Sequence, residues 1–177
     1  MLKTCTREPD ISHISHSTNL HSSHAFENNL LEMLYNVFTV EFLGQPNKPN
    51  HVAIYIETKP KSVDHEGAGI EYHVVGTILL GMKYTREHSE NYMLSPEYVA
   101  GADLLIGRIA ETDIPLLEGI CESIPPPAAH VALNGRRLDP SKPLRRCGEW
   151  VQEVVAKALA EGVVKEVEVV VGEALIE

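Results

Sequence analysis

Cys147, His51 and His73 have the residue types and settings that nucleophilic chemistry requires. A cysteine attacks as its thiolate, which helix N-termini and neighbouring cations favour. Cys147 directly follows Arg145 and Arg146 and stands three residues before the single tryptophan, Trp150. It opens a segment in which Val151, Val154, Ala158 and Leu159 recur at helical spacing until Gly162 stops it. That spacing predicts a helix over Arg146 to Glu161 with the sulfur on its buried face. The two histidines lie on β-rich runs, His51 to Thr58 and Ile70 to Gly76, joined by a polar loop with Pro, Asp and Gly. Closing the hairpin symmetrically about Ser62 sets His51 opposite His73 on one face, whereas a slip of one residue turns one ring away. Brought together, one imidazole would take the thiol proton and the other would orient it.

Each of these residues also has a plainer use. Cysteine is among the residues most often buried as a small hydrophobe, and Cys121 is read that way. His51 and His73 could each be a hydrogen-bonded strand residue. The cysteines Cys5, Cys121 and Cys147 are odd in number and scattered, which argues against a disulfide framework and a structural zinc site. His13, His16, His21 and His24 could gather a metal, but no Cys or carboxylate accompanies them at a fixed offset. They read as part of a solvated, Ser- and His-rich tail over residues 1–25, and no metal site is expected. Arg108, Arg136, Arg137 and Arg145 could meet an acidic group on a substrate.

The elements that must position the chemistry follow from pattern. Residues 26–177 read as one α+β domain, long enough to bury a core. Phe26, Leu30, Leu31 and Leu34 predict a short helix over Phe26 to Tyr35. Val37 to Leu43 alternates as a strand before Gly44 and Pro46. Thr77 to Tyr84 and Leu104 to Ala110 complete a small antiparallel sheet of four or five strands. Thr112 as N-cap and Pro115 in the first turn predict a helix over Asp113 to Ser123, closed by Pro125-Pro126-Pro127. The valine-rich run from Val163 to Val171 favours a further strand, which could add to the sheet edge or pair with a second chain as a homodimer.

Composition removes several function classes. The formal net charge is -10, so nucleic acid and anionic membranes repel the chain overall. No apolar run approaches the ~20 residues that cross a bilayer. The N-terminus lacks the apolar stretch of a secretory signal, which gives a cytoplasmic expectation. Gly67-Ala-Gly69 lacks the third glycine and the following helix of a phosphate-cradling loop.

The order His, His, Cys resembles the permuted papain-like fold of the lecithin:retinol acyltransferase-like proteins. The matching stretches are His51-Val-Ala-Ile-Tyr-Ile, Tyr72-His73-Val-Val-Gly76 and Arg146-Cys147-Gly-Glu-Trp-Val151. The chain is also similar to a group of small fungal proteins sharing Tyr-His-Val, Ile-Gly-Arg-Ile and Cys-x-x-Trp-Val features, seen here at Tyr72, Ile106 and Cys147. The resemblance covers roughly Val37 to Gly162 and implies a small antiparallel sheet packed against a cysteine-bearing helix. It departs from the acyltransferase pattern where Arg146 replaces Asn, where Gly148-Glu149-Trp150 replaces Glu-His-Phe, and in lacking a hydrophobic anchor.

The expected function is cysteine-dependent acyl transfer or hydrolysis of an amide, ester or thioester in a small-molecule substrate. Cys147 would attack, His51 move the proton and His73 orient it, with no metal or organic cofactor. Backbone N–H groups at the helix start would hold the oxyanion. Tyr55, Tyr72 and Trp150 are the candidates for substrate contact, although core packing is the commoner use of such rings. The alternative is a non-catalytic metabolite- or protein-binding module on the same scaffold.

Overall fold

The computed structural model describes residues 33–59 and 67–167. Over that range the strands are β1 (Leu34–Phe42), β2 (His51–Lys59), β3 (Ala68–Thr77), β4 (Gly81–Ser89) and β5 (Leu104–Ala110). Two helices follow, α1 (Ile114–Ser123) and α2 (Cys147–Ala160). The strands form one five-stranded sheet in the order β4-β3-β2-β1-β5, every pair antiparallel. This agrees with the α+β class and the small antiparallel sheet. Among the described residues no helix is long and apolar enough to cross a membrane.

Alternation along the strands sends successive side chains to opposite faces, and here both faces carry a core. On one face Val37, Ile54, Ile56, Ile70, Tyr72 and Val74 are buried in a single cluster with the helical residues Leu117, Ile120, Cys121, Trp150, Val151, Val154 and Ala158. On the other, Val40, Phe42, Ala53 and Tyr55 pack with Tyr92. Tyr92 belongs to the segment between β4 and β5. That segment is tied to β1 where the Leu43 N–H donates to the Glu97 carbonyl at 2.6 Å and the Val99 N–H to Glu41 at 2.9 Å.

α2 begins where the sequence places it, because its first turn is satisfied locally. The Arg146 N–H donates to the Glu149 carboxylate at 2.7 Å, half of a capping box. At its far end Gly162 takes φ 69°, a left-handed conformation that ends the helix. The chain then buries Val163 and Val164 and bridges to the free edge of β5, with Arg108 and Lys165 exchanging N–H···O bonds at 2.8 Å. Gly107 permits this approach, since a Cβ there would run into the Lys165 carbonyl.

Several expectations need correction. Leu34 and Tyr35, assigned by spacing to a helix, start β1, where Tyr35 pairs with Ile109 and its ring packs on the helix-side core. Residues 26–32 of that helix, the residue 1–25 tail and the chain from Glu168 onward lie outside the described residues. β3 continues to Thr77 and β4 starts only at Gly81, not at Thr77. The intervening turn is organised by Thr77, whose hydroxyl accepts from the N–H groups of Leu79 at 3.3 Å and Leu80 at 3.2 Å. Thr112 does not cap α1: it lies in a 3-10 turn over Glu111–Asp113, and the helix follows directly. The hairpin register also differs. Tyr55 pairs with Glu71, where symmetry about Ser62 would pair it with Gly69, and a bulge between Glu57 and Lys59 lets the strands close off-centre.

Candidate functional site

A shift of two residues along a strand restores the original face, so the off-centre hairpin still projects His51 and His73 on the same side. They become diagonal neighbours. His51 opens β2 opposite Phe42, and the two rings stack with centroids 6.2 Å apart. Its Nε2 lies 3.0 Å from Nδ1 of His73. His73, only 8% exposed, is further surrounded by carboxylates. Glu71, two residues earlier on β3 and therefore on the same face, places Oε1 3.0 Å from His73 Nδ1. Glu87 on β4 is the direct cross-strand partner of Glu71, and its Oε1 is 3.6 Å from His73 Nε2. That buried Nε2 makes no hydrogen bond among the described residues.

These surroundings push the two imidazoles apart. Burial, and then the neighbouring charge of His73, lowers the pKa of His51, with Glu71 and Glu97 opposing. Burial alone would lower His73 as well, but the hydrogen bond and charge of Glu71, joined by Glu87, outweigh it and raise the pKa. His51 is thus the ring that gives up its proton first as pH rises, and His73 holds one between two carboxylates.

Cys147 is the first residue of α2 and is half-buried. It packs against the helix-side core, as its spacing predicts. Its Sγ sits 3.9 Å from the carbonyl oxygen of Asn50, the residue immediately before His51. The start of α2 therefore lies over the start of β2, and a Cβ on Gly148 would touch Val52 at 3.8 Å. Val52 and His51 alternate to opposite faces. The structure brings the two histidines together and places the thiol beside the same strand end, but no hydrogen bond joins Cys147 to either imidazole.

The proposed substrate contacts fare differently. Tyr72 and Trp150 are fully buried on the helix side, and their polar atoms are already engaged. The Tyr72 hydroxyl donates to Glu118 at 3.1 Å, and the Trp150 indole N–H donates to the Ile124 carbonyl at 3.0 Å. Both are core residues with no free surface for a substrate. Tyr55 shares the face of the histidines but lies under Tyr92, with centroids 4.6 Å apart. Burial pushes its hydroxyl pKa up to about 12. Arg145 is held by Glu153 at 2.7 and 2.6 Å and by the Pro125 carbonyl at 2.8 Å, so it braces α2 and is not free to meet a ligand. Arg137 likewise donates to the carbonyls of Asp139 and Lys142.

Sequence reasoning missed Glu71, Glu87 and Asn50. The signal for Glu71 was present, since a residue two before His73 on a strand must share its face. Glu87 required the β3–β4 register. The centre can therefore move or share a proton through paired imidazoles, and its three converging atoms, His51 Nε2, His73 Nδ1 and a Glu71 oxygen, are also of the kinds that ligate metals.

No curated protein and no solved structure matches the chain. A family profile spans residues 37–165, from the first core valine of β1 through the Lys165 bridge, and so takes in both histidines, both glutamates and Cys147. By that match the chain belongs to a family of unknown function, DUF6540.

Proposed function

We propose that the protein is a cysteine-dependent acyl-transfer or hydrolytic enzyme, acting on an amide, ester or thioester of a small molecule through a permuted papain-like arrangement. The observation that carries this reading is that the thiol-bearing start of α2 lies beside the strand end that carries His51. The His51 Nε2 is held at 3.0 Å by His73, and the Cys147 thiol lies 3.9 Å from the carbonyl of the residue preceding His51. When His51 donates its Nε2–H to Nδ1 of His73, its own Nδ1 keeps the lone pair that takes the proton from sulfur. The sulfur then bonds to the acyl carbon, and the first backbone N–H groups of α2, which have no intrahelical partner, face the oxyanion. Collapse expels an alcohol, amine or thiol that takes the proton from His51, and water or a second nucleophile releases the acyl group. Reaction requires the ring and the thiol to converge around the end of β2, past the Asn50 peptide.

A non-catalytic binding module is favoured by one observation, that the thiol is paired with a carbonyl and not with an imidazole. Incubation with a p-nitrophenyl ester separates the two. The enzyme reading expects an acyl adduct on Cys147 by peptide mass spectrometry, lost in His51→Ala with the fold unchanged by circular dichroism. Absence of any adduct on Cys147, or an adduct indifferent to His51, would favour the module.

A further inference from the structure

We propose that His51, His73 and Glu71 form a binding site for a divalent transition metal of the zinc type, and that its occupancy blocks the thiol chemistry. The second half rests on the cysteine reading above; the first does not.

The geometry points to a cation. His51 Nε2 and Glu71 Oε1 both lie 3.0 Å from the one atom His73 Nδ1, and the ligating atoms of all three residues fall within 4.8 Å of one another. Three groups, each able to offer a lone pair, converge where a single ring proton can at most be shared. Metal bonds of about 2.0–2.2 Å to imidazole nitrogen and carboxylate oxygen set neighbouring ligand atoms about 3.3–3.6 Å apart at tetrahedral angles, so the two 3.0 Å edges need widen only by a few tenths of an ångström. Two imidazoles with one carboxylate suit zinc and its borderline neighbours rather than magnesium or calcium, which take oxygen ligands.

Charge and the outer residues agree. The Glu71 side chain is only 13% exposed, and among the described residues its single basic partner is His73. Glu87 is the second carboxylate on the same ring. A divalent ion would offset both acids. Glu87 stands where an outer carboxylate is needed, beside the buried His73 Nε2 that makes no hydrogen bond. A ligating histidine ordinarily donates its other N–H to such a group, which fixes the tautomer.

Binding replaces the proton between the rings with the metal and releases it to solvent. A neutral imidazole ligating through Nε2 must carry its proton on Nδ1. His51 then has no lone pair left for the thiol proton, so the metal-loaded protein holds Cys147 unactivated.

The test is equilibrium dialysis against Zn2+ of the full-length Cys147→Ala protein, alone and carrying Glu71→Gln or His73→Ala, with metal counted per chain. His13, His16, His21 and His24 are common to all three proteins, so any metal they hold cancels in the comparison. The proposal expects one equivalent of Zn2+ to be lost in both variants, and affinity weakened about 10- to 100-fold in Glu87→Gln. Glu71→Gln conserves size and carries the comparison if His73→Ala does not fold. Equal stoichiometry and affinity in Cys147→Ala and Glu71→Gln overturns the site. In the wild-type chain, Zn2+ should slow iodoacetamide labelling of Cys147 at least tenfold. Loss of the equivalent without slowing keeps the metal site and overturns its control of the thiol.

Discussion

Replacing Trp150 with alanine removes the largest fully buried side chain from the centre of the helix-side core. The indole is 0% exposed, packs on the Tyr84 ring with centroids 5.8 Å apart, and donates its N–H to the Ile124 carbonyl at 3.0 Å. Truncating a buried aromatic costs about 3–5 kcal/mol in lost transfer energy and residual cavity. Leaving the Ile124 carbonyl without its donor adds about 1 kcal/mol. The expected total, about 4–6 kcal/mol, is about a quarter or more of the stability of a typical domain. Urea unfolding followed by circular dichroism measures it. With a slope of about 2 kcal/mol/M the midpoint should fall by about 2–3 M, with the slope unchanged. A midpoint within about 0.5 M of the wild type would mean that α2 does not depend on this contact, and the packing argument would fail.

Cys121 is fully buried, and burial pushes its thiol pKa up to about 12. A thiol reagent at neutral pH should leave it unmodified in the native protein and modify it after denaturation; native labelling at Cys121 would contradict this placement. Gly107→Ala sets a Cβ against the Lys165 carbonyl and should cost about 1–3 kcal/mol while deprotecting the Arg108 and Lys165 amides in hydrogen exchange. Wild-type protection at both amides would argue against the bridge. Glu118 accepts from the buried Tyr72 hydroxyl at 3.1 Å and from Arg86 at 2.6 Å. Glu118→Ala should therefore cost about 1–3 kcal/mol by unfolding titration, and a neutral result would show that water replaces the carboxylate.

Much of the scaffold was legible in local pattern. The helical spacing of Val151, Val154 and Ala158 and the stop at Gly162 located α2, and the run Leu104 to Ala110 is a strand with the same limits. The pairing of His51 with His73 survived an incorrect register because the error was even. What alternation could not say is which face of the sheet α2 covers. In β2, Ile54 and Ile56 are buried under the helices while Ala53 and Tyr55 are buried under Tyr92, so both faces read as apolar. The separation of Cys147 from the His51 face follows from that ambiguity. Leu34 and Tyr35 were misread for a related reason: a short apolar spacing at the start of a strand imitates a helical turn, and only pairing with Ala110 and Ile109 decides it.

The central claim is that the His51–His73 pair serves Cys147, and the rate of Cys147 alkylation by metal-free protein tests it most directly. The second-order rate constant with iodoacetamide at pH 7 is to be measured by peptide mass spectrometry in the wild type, His51→Ala and His73→Ala, with Cys5 as internal reference. The account predicts Cys147 labelling at least tenfold faster than Cys5 in the wild type, reduced to the Cys5 rate in His51→Ala and partly reduced in His73→Ala. Equal rates for Cys147 in all three proteins would contradict it.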